Sequence, residues 1–263
     1  MWLALAVLVF WIISSIFAVA TNVFDSPIEL QNMFAAPNVS SWFGNDDLGR
    51  SIGARVMHGA ATSIAVSIAV VMITFITGTV FGVVIAWFGN VIDLVGVRLI
   101  DIFLAFPGIL LAIALAAVLG PGIDNVIIAL VAVSWVGFAR LSRAQTLSIK
   151  SRDHIQVAIA LGTPTLKILV RHILPLIAAP LIVEATFAIA AVIIAEAGLS
   201  FLGLGVQPPN PSWGSMIKQG TQYLLIAPHM VLAPGFALFS MVYAVNILGD
   251  KLRDNLQVRE NQF

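Results

Sequence analysis

The sequence predicts an all-α polytopic membrane protein with six transmembrane helices. Three observations carry that expectation. Of the 263 residues, 60% are hydrophobic and only 10% are charged, against roughly 25% charged in soluble domains. The mean hydropathy is +1.02. The few charges separate uncharged runs near the roughly 20 apolar residues that cross a bilayer core. A soluble enzyme could not cover so much apolar surface with so few charges. Thirteen Lys and Arg balance thirteen Asp and Glu, so no global positive field draws nucleic acid. The absence of cysteine excludes disulfides and thiolate metal sites.

The six helices are expected at roughly 2–22, 60–88, 94–119, 124–147, 176–198 and 229–249. Residues 1–24 carry no charge. Without a basic leading segment or a clear cleavage site, this run reads as a retained helix rather than a signal peptide. The runs 59–92 and 102–123 are also uncharged. The fourth run, 125–139, is short, and Arg140 and Arg143 extend it by reaching towards the headgroups. The fifth follows Pro175 and holds Glu184 and Glu196; the sixth stops before Asp250. With the N-terminus inside, ten Lys and Arg fall on the inner side and three on the outer, which predicts that both termini are cytoplasmic.

Two long outer loops are expected. Residues 23–58 contain the cluster Asn45-Asp46-Asp47-Leu48-Gly49-Arg50. Residues 199–228 contain Pro208, Pro209 and Pro211, which argue against a plain helix there. That Gly-rich segment reads either as a folded cap or as a wall of a passage.

The inner loop 148–175 carries the most information. Asp153 followed by Gln156 has the spacing of a capping box. Gly162 is placed to end that helix in the left-handed conformation. Thr163-Pro164 then starts a second short helix over 164–173, and Pro175 opens the fifth span. The first helix is apolar through Ile155, Val157, Ala158, Ile159, Ala160 and Leu161. Such a face requires cover, either from its own bundle or from a groove on a soluble partner.

The chain has no phosphate-binding loop, no nucleophile elbow and no metal-ligand spacing. The four histidines are scattered and read as interfacial or packing residues. Arg98 and Asp101 stand three apart and are expected to pair. Glu184 and Glu196 are open to two readings, lining a wet passage or pairing with a basic group between helices.

Gln156-Val157-Ala158-Ile159-Ala160-Leu161-Gly162, followed at the right gap by Leu174-Pro175, resembles the EAA loop of binding-protein-dependent ABC importer permeases. Arg171-His172-Ile173-Leu174-Pro175, Asp101-Ile102-Phe103-Leu104-Ala105-Phe106-Pro107, Pro211-Ser212-Trp213-Gly214 and Asn246-Ile247-Leu248-Gly249-Asp250 are similar to the C-type subunit of the dipeptide/oligopeptide/nickel group. The resemblance covers about 42–256. In this chain Gln156 replaces the motif glutamate and Val157 its first alanine. Relatives usually carry a cytoplasmic tail before the first span, whereas this chain opens directly on the span.

The resemblance implies a type I ABC importer (MetI-like) permease fold. The first helix and outer loop would occupy 1–57, an ABC transmembrane type-1 domain of five helices 58–249, with its EAA coupling loop at about 150–175, and a cytoplasmic tail 250–263. It implies half of a heterodimeric pore in a prokaryotic inner membrane, surrounded by lipid. The partners would be a homologous permease, two ABC ATPase subunits and an extracytoplasmic substrate-binding protein. This chain would bind no cofactor and perform no catalysis; ATP and Mg would sit in the ATPases. Asp153, Gln156, Ala158, Gly162 and Pro175 are the residues implied in coupling, and Asp101, Glu184 and Glu196 the candidates for the pathway or its gate. The substrate is expected to be a di- or oligopeptide, with nickel or a metal chelate as the alternative. A stand-alone carrier would leave the apolar inner helix without a role. An intramembrane enzyme would need an acid dyad or a Ser/His pair that the sequence does not display. The substrate-contacting residues are left unassigned.

Overall fold

The computed structural model describes residues 2–21, 27–39 and 41–260. The first residues of the loop expected at 23–58 and the last of the tail expected at 250–263 lie outside them. Five helices are long and apolar enough to cross a membrane, or six if one bent pair counts as a span. They are α1 (Trp2–Thr21), α2 (Ile52–Phe88), α5 (Ile123–Lys150), α8 (Leu174–Leu202) and α10 (His229–Glu260). The bent pair is α3 (Asn90–Leu104) and α4 (Gly108–Leu119), which meet at 81°.

That bend corrects the expectation of one continuous helix over 94–119. Pro107 lacks an N–H and pushes Phe106 out of the helical region, so the chain turns at Ala105–Pro107. Hydropathy runs unbroken through this point because Phe and Pro add no charge. Three other boundaries also move. Helix α2 begins at Ile52 rather than 60, after the N-cap Ser51. Helix α10 continues to Glu260 instead of stopping at 249; charge ends an apolar run without ending a helix, and Lys251 and Asp254 pair at 3.7 Å on its surface. The inner loop leads into α8 without a break: α7 (Thr165–Ile168) passes into a π-helical turn over Leu169–Ile173. The wide turn lies where Pro175 removes the N–H that would have reached Arg171.

Helices α2 and α5 form the most extensive contact in the bundle. Gly78 and Gly82, four apart on α2, let the backbones meet. A Cβ on Gly78 would lie 2.4 Å from the Trp135 carbonyl oxygen, and one on Gly82 would lie 2.2 Å from that of Ala139. Phe138 packs beside this seam, edge-on to Phe75 with centroids 5.5 Å apart. Gly82→Ala is therefore expected to force the helices apart and to destabilise the detergent-solubilised protein by about 1–3 kcal/mol, as overpacking does elsewhere. Thermal unfolding checks it, and an unchanged midpoint would contradict the tight seam.

Two cores divide the bundle. One joins α2, α5 and α8 and extends to Ile155 beyond the end of α5. The other surrounds Trp213, which has no exposed surface. Its indole donates to the Val56 carbonyl at 3.0 Å and meets Trp11 edge-on at 5.3 Å. Trp213 opens α9 (Trp213–Thr221), capped by a Ser212/Ser215 box. Prolines exclude a helix up to residue 211, and one starts directly beyond them.

Candidate functional site

The site has two parts, a helix at one end of the bundle and a charged cleft within it. Helix α6 (Asp153–Ala160) lies between the ends of α5 and α7. Ile155 is fully buried and Ala158 nearly so, and both join the main core. Val157, on the opposite face, is 56% exposed, Ile159, beside Ile155, 41%, and Leu161, at the C-cap, 79%. The chain's own bundle thus covers Ile155 and Ala158 and leaves Val157, Ile159 and Leu161 uncovered. Asp153 and Gln156 are exposed, and so is Pro175, at the start of α8.

The cap of α6 differs from the expected box. The N-cap is Arg152, and no side chain caps the helix. Gln156 Nε2 instead donates to the Lys150 carbonyl at 2.9 Å, closing the turn between α5 and α6. Gln156→Glu would remove that donor and place a carboxylate against the last carbonyls of α5. The expected cost is about 0.5–1.5 kcal/mol, read as faster amide hydrogen exchange over 151–162; unchanged exchange would contradict the bond. At the far end Gly162 adopts φ +73°. Its N–H donates to Ile159 O at 2.9 Å, and that of Thr163 to Ala158 O at 3.1 Å. The following helix begins at Thr165 after Pro164, one residue later than expected.

Short links join this end to the rest of the bundle. Lys150 Nζ donates to the Trp87 carbonyl at the end of α2 and lies 5.4 Å from that indole's centroid. Arg143 grips Asp93 on α3 with two bonds of 2.6 and 2.7 Å. This pair, and not Arg98–Asp101, is the ion pair of α3 among the described residues.

Next to it a cavity of about 700 Å³ opens between α3, α5 and α8. Val97, Ile100, Asp101 and Leu104 line one wall, and Gly137, Arg140, Leu141 and Ala144 the other, each set at helical spacing. Glu184 completes it from α8, its Oε1 3.3 Å from where a Gly137 Cβ would stand. The structure thus brings Asp101 and Glu184 together. Arg140, expected to reach for the headgroups, lines the cleft as well.

Glu196 belongs elsewhere. It is 1% exposed in this structure, and no basic group pairs with it among the described residues. Ser63 Oγ of α2 donates to its Oε2 at 2.8 Å and Ser200 Oγ to its Oε1 at 2.7 Å. Small polar donors satisfy the buried carboxyl in place of a cation.

Residues 78–261 match the family described as "Binding-protein-dependent transport system inner membrane component". The chain belongs to this family. It is a permease subunit of an ABC importer and a multi-pass inner-membrane protein. The permease is 44% identical to the glutathione transport system permease protein GsiD of Escherichia coli O1:K1 / APEC over 237 residues, 90% of this chain and 77% of that protein. It is 42% identical to the dipeptide transport system permease protein DppC of Alkalihalophilus pseudofirmus over 225 residues, 86% and 74% of the two chains. Its fold is similar to that of the MetNI methionine ABC transporter in an inward facing, native crystal form. The TM-score is 0.62 at 19% identity, over 76% of the permease and 95% of that chain. A selenomethionine-soaked form of the same transporter gives 0.60 at 21% identity.

Two features of the permease escape the local sequence patterns. The Asp93–Arg143 pair spans 50 residues and the Ser63–Glu196 bond 133. Gly78 and Gly82, by contrast, display the small-xxx-small spacing openly.

Proposed function

We propose that this permease forms half of a heterodimeric pathway for di- or oligopeptides. An extracytoplasmic binding protein delivers the peptide, and two cytoplasmic ATPases drive it. The carrying observation is helix α6, rooted through Ile155 and Ala158, with Val157, Ile159 and the C-cap Leu161 exposed. An apolar face on a short helix fits a groove on a soluble partner. The excess of Lys and Arg beside it supports a cytoplasmic location, with both termini on that side. The names of the relatives GsiD and DppC support a peptide substrate.

In this reading the ATPases close on ATP and move α6. Gly162 sets the angle at which the helix is presented. Ile155 passes the motion to the core, Lys150 to the end of α2, and Arg143–Asp93 to α3 and its elbow. Packed elements of this kind transmit displacement as rigid pieces. Nucleotide and Mg sit in the ATPases, and this chain contributes no catalytic group. Glu196 acts as a clasp between α2 and α8 rather than as a lining residue.

The test is a mild-detergent purification of the tagged chain from its host, with partners identified by mass spectrometry. Recovery of a second permease and P-loop ATPases is expected, with a peptide-binding protein captured in the loaded state. A chain that emerges alone and still transports in liposomes would overturn the reading.

A further inference from the structure

The cleft between α3, α5 and α8 holds three ionisable side chains that make no ion pair among the described residues: Asp101, Arg140 and Glu184. Asp101 stands 11 residues from the start of α3, Arg140 10 from the end of α5, and Glu184 10 from the start of α8. Each is therefore about 15 Å along its helix from that end. Ionisable groups on apolar, membrane-crossing helices are costly unless paired or wet. Arg143 shares the cleft but is held by Asp93, which leaves one free cation and two acids. Asp101 and Arg140 are exposed to the cavity, whose volume of about 700 Å³ suits a small ligand.

We propose that this cleft is a recognition site for a zwitterionic, amino-acid-derived substrate on its way through the pathway. Arg140 takes the free carboxylate, through the planar fork that suits it. Asp101 and Glu184 take the ammonium group, which has three donors to satisfy. A simple anion would leave both acids unpaired, and a simple cation would leave Arg140 so; a ligand with both charges matches all three. The elbow at Ala105–Pro107 follows Asp101 directly, so movement of α3 relative to α4 would reshape this wall. The site rests on the importer reading and adds to it the chemistry by which the permease holds its cargo.

The test uses the complete complex in proteoliposomes, with the binding protein outside and ATP inside, and alanyl-phenylalanine as the probe. Arg140→Gln and Glu184→Gln are each expected to lower import by about tenfold, the loss of one charge-assisted contact. Binding-protein-stimulated ATP hydrolysis should stay within about twofold of wild type if only cargo contact is lost. Arg140→Lys, which keeps the charge, should recover most of the import. Variants that import like wild type would overturn the site and leave the importer reading intact. A wild-type complex that assembles but imports no dipeptide would remove both. Should the charge variants fail to assemble, Ala144→Cys provides the reading, since the chain has no cysteine of its own. The dipeptide should slow its modification by an anionic thiosulfonate, and the same dipeptide acetylated and amidated at its ends should not. Equal labelling with and without the dipeptide would overturn the site.

Discussion

Gly162→Pro is expected to abolish transport and ATPase association while the membrane helices still form. Gly162 sits at φ +73°, whereas proline fixes φ near −65°. The substitution also removes the N–H that donates to Ile159 O at 2.9 Å. It further disfavours the near-helical conformation of Leu161, at φ −76° and ψ 3°. Together these cost several kcal/mol locally, on the order of 3 or more. The cost falls on the presentation of α6 alone, because nothing lies within 4 Å of the glycine where a side chain would stand. Transport and ATPase co-purification should fall more than about tenfold, with helical circular dichroism unchanged. Gly162→Asn provides the contrast. Asparagine enters the left-handed region more readily than other side chains and has room here, so it should keep most of the activity. Equal activity in the proline variant would remove the mechanical role of this turn.

Asp46→Ala is expected to be the most destabilising of these substitutions. Asp46 is 1% exposed and accepts from the backbone N–H groups of Leu48 and Arg50, both at 2.9 Å. It also accepts from Arg50 Nε at 2.8 Å and from Arg55 Nη1. Arg55, itself buried, reaches on to Gln219 Oε1 of α9 at 2.9 Å. One carboxylate thus ties the 45–51 turn to α2 and, through Arg55, to α9. Its removal leaves a buried guanidinium without its counter-charge, at a cost of about 3–5 kcal/mol. Thermal unfolding in detergent measures this. Asp46→Asn retains acceptors and should cost less, and adding Arg55→Met to Asp46→Ala should recover part of the loss. An unchanged midpoint in Asp46→Ala would show that the network contributes nothing.

The parts that the sequence made legible are those with local causes. Uncharged runs located the spans, and Gly162 marked the end of α6 because only a left-handed residue ends a helix that way. The elbow in the third span was visible as Phe106-Pro107-Gly108, yet hydropathy does not register it. Other features depend on pairings that spacing along the chain cannot rank. Arg98 and Asp101 had the better local geometry, but Asp93 found Arg143 on another helix. Gln156 had the spacing for a capping box, but its amide reached back to Lys150 across the turn. Glu196 was expected to need water or a cation, and two serine hydroxyls satisfied it. Of the candidate pathway residues, Asp101 and Glu184 line one cleft, and the pattern of an uncharged run ended by Arg140 does not show that this residue lines it with them.

The most direct test of the coupling account is site-specific photo-crosslinking in native membranes, with a benzophenone side chain at Leu161 and, in a second variant, at Leu225. Both residues are strongly exposed, at 79% and 99%, and they lie on different loops of the bundle. The account predicts that Leu161 crosslinks to an ATPase subunit and Leu225 does not. A crosslink to the ATPase from Leu225, with none from Leu161, would contradict it.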